Sequence, residues 1–470
     1  METFTVNMFT NSKLLKHSKI IICALAAAVI LFSLLIAPCF GKADDSSFYN
    51  VLVGNGLYSV GDNMRYFETD YGVLGSGSTA FLPITAAKAL SKLFCGGEMF
   101  DIRFLAAVYL PAYLIGMFLI INAVKVKNRI AEIIVCILAA LILCDIGYIS
   151  YLNSFYTDAM YISALTLVFG SVMYTQANEG FSAPCLVLWL IGAILLACMG
   201  VSGMIAAVLS GILLAFFAFT HRGTKQSFAI GTAIILVAVS LFTTGCAPDY
   251  SDKNISAYDA LFGTALQGGD VPAELAEFGI PEKYAPLTDK TYFEAKDEFM
   301  LESDTARQEL FDKITPSSVA LFYLRHPSRF WQSLKLAAQN APFITQEYIP
   351  YKQNADYGIK PAPGLWGFLR RLIAPTSIII TLILYAIVIA MSIKDMKKQK
   401  TYMLTALFAV ICGIVFLCAP IFSGGLASIS RRLVLYQIST DFLLLISIIW
   451  LINTFIDRGN HLRKEYGVRQ

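Results

Sequence analysis

Two adjacent arginines, Arg431 and Arg432, stand immediately before the last apolar stretch, Leu433 to Phe455. Guanidinium groups at the edge of a membrane span can grip an anion through paired N–H donors, and a phosphate carried on a lipid is the anion met there. Acidic residues supply the complementary chemistry. Asp44 and Asp45 follow the first apolar stretch by a few residues, and Asp158 closes the run Asn153-Ser154-Phe155-Tyr156-Thr157-Asp158 between the third and fourth. Transfer of a sugar from a phosphate leaving group needs a carboxylate to take the acceptor proton, and cations or a metal to neutralise the departing phosphate. In that scheme Asp45 or Asp44 is the base. Asp158 is a metal ligand (Mg or Mn) or orients the acceptor, and Arg431 with Arg432 is the phosphate clamp. Solvated loop acids are the competing reading, and the placement of all these groups on one membrane face weighs against it.

Such groups need a membrane scaffold, and the composition supplies one. Of 470 residues, 57% are hydrophobic and only 15% charged, against roughly 25% charged in a soluble domain. The mean hydropathy is +0.63. Runs of about 20 apolar residues, enough to cross roughly 30 Å of hydrocarbon, number about ten. They are Lys19 to Pro38, Phe104 to Val124, Ile130 to Tyr148, Met160 to Thr175, Ala183 to Gly200, Val201 to Thr220, Ser227 to Cys246, Leu372 to Ile393, Tyr402 to Phe422 and Leu433 to Phe455. The fifth and sixth are short and meet at Gly200 and Gly203, so they also read as half-spans or one kinked element. The expected fold is an all-α polytopic bundle. Its net charge of +3 averages over opposing regions and gives no reason to expect a nucleic-acid partner.

Basic residues set the expected orientation. Lys13, Lys16 and Lys19, then Lys125, Lys127 and Arg129, then Arg222 and Lys225, then Lys394, Lys397, Lys398 and Lys400, and finally Arg458, Arg463, Lys464 and Arg469 all fall on one side of that layout. The positive-inside bias makes this side cytoplasmic, with both termini, in a multi-pass protein of the cell membrane. Three parts follow: a transmembrane module over 1–246 with a catalytic first outer loop at 39–103, an extracytoplasmic domain over 247–371, and a C-terminal transmembrane module with a cytoplasmic tail over 372–470. Within the outer domain, Ser317 to Asn340 reads as one interfacial helix with Leu321, Leu324, Phe330, Leu334 and Ala338 near one face.

Several chemistries are excluded. The chain has no phosphate-cradling glycine loop, no dinucleotide fingerprint, no zinc spacing and only four histidines, which speaks against ATP-driven reactions. Most of its ten cysteines lie inside apolar spans, where Cys is a small hydrophobe. Asp145 and Asp441 are the main ionisable residues within spans; structural pairing is the expected role of each. Arg325 and His326 are further candidates for phosphate contact, against a bland reading as a basic flank. Trp331, Trp366 and Tyr348 read as an aromatic belt at the interface.

The first-loop acid, the Asn-Ser-Phe-Tyr-Thr-Asp turn, the stretch Tyr258 to Tyr284, and the run Phe322-Tyr323-Leu324-Arg325-His326-Pro327-Ser328-Arg329-Phe330 together resemble the GT-C membrane glycosyltransferases. Within that superfamily the chain is most similar to hexose transferases of bacterial surface-glycan and S-layer glycan assembly. The resemblance implies a polyprenyl-phosphate-linked sugar as donor, a glycan or lipid-linked acceptor, and membrane lipids as surroundings. It matches Asp45, followed by Ser46-Ser47-Phe48-Tyr49, to the catalytic acid of the first extracytoplasmic loop. Members often carry Glu where Asp158 stands, which keeps the carboxylate on a shorter arm. Two other classes stay open: an O-antigen-type ligase or polymerase using Arg325, His326 and Arg329, and a lipid-linked glycan flippase. The flippase would need a continuous polar path that these spans do not supply.

Overall fold

The computed structural model describes residues 17–36, 52, 54–60, 65–73, 82–96, 99–155, 158–178, 182–198, 201–220, 226–243, 250–342, 364–395, 400–423 and 433–465. The chain folds as a multi-pass, all-α membrane protein, and each apolar stretch read from the sequence is helical. In chain order these are α1 (Ser18–Leu31), α2 (Leu82–Cys95), α3 (Arg103–Ala123), α4 (Arg129–Leu143), α5 (Asp158–Ala177), α6 (Ala183–Ala197), α7 (Val201–Thr220) and α8 (Gln226–Thr243), with α2 the one polar exception. The polar segment after α8 is described from α9 (Tyr250–Ala260) through α10 (Pro316–Arg325) and α11 (Pro327–Asn340). Then come α12 (Leu365–Ile373), α13 (Ile378–Asp395), α14 (Lys400–Ser423) and α15 (Val434–Glu465).

Among the described residues, five helical segments are long and apolar enough to cross a membrane: Ser18–Ile36, Arg103–Ala123, Arg129–Asn153, Met403–Phe422 and Val434–Asn460. The pair α12 and α13, bent by 93° across a short break, makes a sixth if counted as one span. That break contains Pro375, whose missing N–H and restraint on the preceding residue end a helix there. Among the described residues three shorter apolar helices, Ala183–Ala197, Gly203–Phe219 and Ala229–Val239, fall in the fifth to seventh stretches. Helix α5 is buried along most of its length. It crosses α3 at two glycines: a Cβ on Gly116 would lie 2.7 Å from the Thr166 backbone, and one on Gly170 only 2.5 Å from the Gly116 carbonyl. Without a hydrophobic drive between helices in lipid, such close backbone approach is what holds them together.

Basic residues gather at one end of the bundle. Lys19 and Arg129 pair with Glu132 at 2.7 and 2.6 Å, and Lys127 pairs with Asp457. Asn453 bridges the same loop, accepting from the Lys127 amide and donating to the Lys125 carbonyl. At the far end, the segment between α1 and α3 forms a small antiparallel sheet, β1 (Leu57–Ser59), β2 (Tyr66–Thr69) and β3 (Met99–Asp101), in that spatial order. Lys88 of α2 is buried under it and donates to the carbonyls of Asn55, Asp70 and Val73. Burial pushes its pKa down, and the nearby Asp70 pulls it partly back.

The single interfacial helix expected over Ser317 to Asn340 is in fact two. His326 sits at φ −118°, ψ 66° between α10 and α11, and Pro327 opens the second helix at the position where its missing N–H costs nothing. The apolar residues do not share one face: Leu334 and Ala338 are buried, whereas Leu324 is 78% exposed.

Candidate functional site: a buried carboxylate pair and the cavity below it

At the far end, α12 plugs into the bundle with one face. Trp366, Gly367 and Arg370, spaced i, i+1, i+4, point inward, while Leu365, Phe368 and Leu372 are exposed. Two carboxylates from other helices receive it. Asp145 caps the short helix Ile146–Ile149 through the Gly147 amide at 2.8 Å and also accepts from the Gly367 amide at 2.8 Å. One side chain thereby satisfies orphan N–H groups at two helix starts and sits at the positive end of both. Gly364 makes the approach possible: a Cβ there would lie 2.1 Å from the Asp145 carboxylate.

Asp441, on α15, is the second receiver. It accepts from Tyr148 Oη at 2.6 Å and Trp366 Nε1 at 2.7 Å, and pairs with the Arg370 guanidinium. Arg370 also donates to Thr440 Oγ1 at 2.8 Å, while its buried Nε has no hydrogen-bond partner in the structure. The expectation of structural pairing holds for Asp441, whose partners come from other segments of the chain. The aromatic-belt expectation for Trp366 is corrected. Its ring is 3% exposed because its N–H has a buried carboxylate to reach.

Below this cluster lies a cavity of about 420 Å³ between α12, α13, α14 and α15. Arg370, Tyr436, Thr440 and Asp441 form its polar end. From there the wall is almost wholly apolar, running along α13 from Thr381 to Ser392 and along α15 to Leu451. Leu384, Ile387 and Leu451 belong both to the wall and to the outside of the bundle, so the cavity opens sideways.

A second convergence lies one short segment away. Asn153 donates to the Leu34 carbonyl at 3.0 Å, and Arg103 to the Leu35 carbonyl at 3.0 Å, where a π-helical turn, Phe32–Ile36, ends the first span. Phe155 packs edge-on against Phe67 at 5.0 Å and against Phe100 at 5.9 Å. The Asn-Ser-Phe turn is therefore docked on both the sheet and the end of the first span. From Tyr148 to Asn153 the chain is helical, so this docking point is about 8–10 Å along the helix from the Asp441 cluster.

Of the residues expected to do chemistry, Asp158 is partly buried at the start of α5, beside this turn. Asp44, Asp45, Arg431 and Arg432 lie outside the described residues, as does Tyr348. The arginines directly precede Leu433 and α15, the helix whose Tyr436 and Thr440 form the polar end of the cavity. Arg325 and His326 are brought elsewhere: both face Glu277 in the polar segment after α8, at 3.7 and 2.9 Å. Arg329 is bound to Glu274 at 2.9 Å. Among the described residues no three His, Cys, Asp or Glu side chains gather around a point that would hold a metal ion. Any metal held by Asp158 would need a partner from outside the described residues.

Sequence reasoning missed Arg370 and Trp366 as site residues. The signal was present in Leu365 to Ile373, whose apolar and polar residues separate onto opposite faces at helical spacing.

No curated protein matches the chain. A family model does, over residues 7–467, nearly the full length: the chain belongs to the YfdI N-terminal transmembrane domain family.

Proposed function

We propose that this protein is a membrane glycosyltransferase that moves a hexose from a polyprenyl-phosphate carrier to a glycan or lipid-linked acceptor. The observation that carries the reading is the shape and polarity of the cavity. It has the Arg370–Asp441 ion pair and Thr440 at one end, an apolar shaft below and an open side toward the surrounding lipid, matching a ligand with a polar head and a long apolar tail. Membership of the YfdI family and the docking of the Asn153 turn at the end of the first span agree with it.

In this reading the basic end of the bundle is cytoplasmic, with both termini, and the far end is extracytoplasmic. Arg431 and Arg432 meet the phosphate, whose leaving charge needs fixed donors in a site shielded from water, while Arg370 is held by Asp441 at the head of the cavity. Asp45, or Asp44 beside it, takes the proton of the acceptor hydroxyl. Asp158 orients the acceptor or shares a metal with those acids. The ligase-type alternative loses ground because Arg325, His326 and Arg329, the residues it would use, are engaged by Glu277 and Glu274.

The test is sugar transfer from a polyprenyl-phosphate hexose in membranes of equal protein content. Asp45→Asn keeps the size of the side chain but cannot take a proton, and should lower the rate on the order of 10² to 10⁴. Asp44→Asn should cost less. The double Arg431→Gln, Arg432→Gln variant should weaken donor use, and lysines there should restore only part of it, because a point charge does not grip two oxygens. Near-normal rates for both Asp→Asn variants would return the ligase-type reading to first place.

A further inference from the structure

We propose that Trp450 is the floor of the cavity and sets how many isoprene units of the carrier lipid the protein holds, a reading that rests on the lipid-linked donor proposed above. The cavity follows α15 from Tyr436 to Leu451, which at 1.5 Å per residue is a shaft of about 22 Å. Its polar end is defined by Arg370, Thr440 and Asp441. Its opposite end is lined by Met391, Met403 and Trp450. Met403 is 3% and Trp450 8% exposed, so both are fixed in packed surroundings. Trp450 is the largest of the three and the one that a growing apolar chain would strike.

A prenyl chain advances about 5 Å per unit on carbon–carbon bonds near 1.5 Å, so a shaft of this length takes about four units. Beyond that the chain has to turn out through the open side, where Leu384, Ile387 and Leu451 reach the exterior of the bundle. Units outside the shaft exchange one apolar medium for another and gain nothing by binding. Selectivity for carrier length should thus be strong up to the floor and absent past it.

The experiment measures binding of prenyl phosphates of two, three, four, five and seven units to the full-length protein in nanodiscs, with the matching prenyl alcohols as controls. Affinity should rise on the order of several-fold per unit up to about the fourth, as each unit gains close contacts with the packed shaft wall that lipid does not give, and then level off. Trp450→Leu should move the plateau to a longer chain. Ala406→Phe, which fills the shaft from α14, should move it to a shorter one. Equal affinity across the series in the wild-type protein, or a plateau unmoved in both variants, overturns the floor. The wild-type series decides this even if a variant fails to fold. No binding of any prenyl phosphate, or equal binding of phosphates and alcohols, removes the lipid-linked donor itself and the floor with it.

Discussion

Two arginine–carboxylate contacts at the far end of the molecule use the same chemistry in opposite surroundings. Arg370 and Asp441 are 5% and 1% exposed, with Trp366, Tyr148 and Thr440 completing their hydrogen bonds. Arg325 and Glu277 are 56% and 32% exposed and 3.7 Å apart. In the first pair each charge has left water and depends on its partner, so removing one strands the other. In the second, water and salt already screen both. The contrast shows that an ion pair locates a site only where desolvation makes it costly to lose, and here that is beside the cavity.

Breaking the buried pair should have the largest effect. Arg370→Ala leaves Asp441 uncompensated and should cost about 3–5 kcal/mol of stability, whereas the double replacement Arg370→Met, Asp441→Leu should cost far less. Thermal melting of the detergent-solubilised protein reads both. Equal losses for the single and double variants would mean that the pair is not electrostatically coupled to the fold.

Next in size is Gly364→Ala. The added carbon would overlap the Asp145 carboxylate and should cost about 1–3 kcal/mol by forcing α12 away from the bundle. Hydrogen exchange at the Gly367 amide should rise with it. Unchanged protection there would show that Asp145 does not hold the helix start.

The exposed contact should respond least. Glu277→Gln removes the partner of both Arg325 and His326 and should change stability by about 0–1 kcal/mol, a difference that disappears at high salt. A loss as large as that of Arg370→Ala would erase the comparison. The polar segment after α8 carries a related small effect of pH. Glu309 is held below its usual pKa by hydrogen bonds from Lys283 and Tyr284, and Glu294 by the Thr291 backbone and hydroxyl. Groups with a lowered folded pKa stabilise at pH above their unfolded value and lose that contribution as pH falls through the folded one. Acid titration of melting should therefore show this segment loosening below the ordinary carboxylate range, and Glu309→Gln should flatten part of that slope.

The spans were legible because length and hydropathy decide membrane crossing, and the bend after α12 is announced by Pro375. The pairing of Asp441 was legible only in kind: a carboxylate within a span must find donors, but its donors, Tyr148, Trp366 and Arg370, come from two other segments, far apart in sequence. Arg370 and Trp366 were obscured by their neighbourhood. They lie at the end of a polar segment, where a basic residue and a tryptophan usually mark the interface. The division of Ser317 to Asn340 could have been read from Pro327. The cavity has no sequence signature, since its wall consists of the same apolar residues that cover the outside of any span.

The most direct test of the account is photo-crosslinking with a polyprenyl phosphate that carries a diazirine in its first isoprene units, followed by mapping of the labelled peptides. Labels should fall on α13 and α15, at residues such as Val388, Leu444 and Ser447 that line the shaft, and should be competed by unlabelled polyprenyl phosphate. Labels spread evenly over the lipid-facing helices, or confined to α1 and α4, would contradict a donor seated in this cavity.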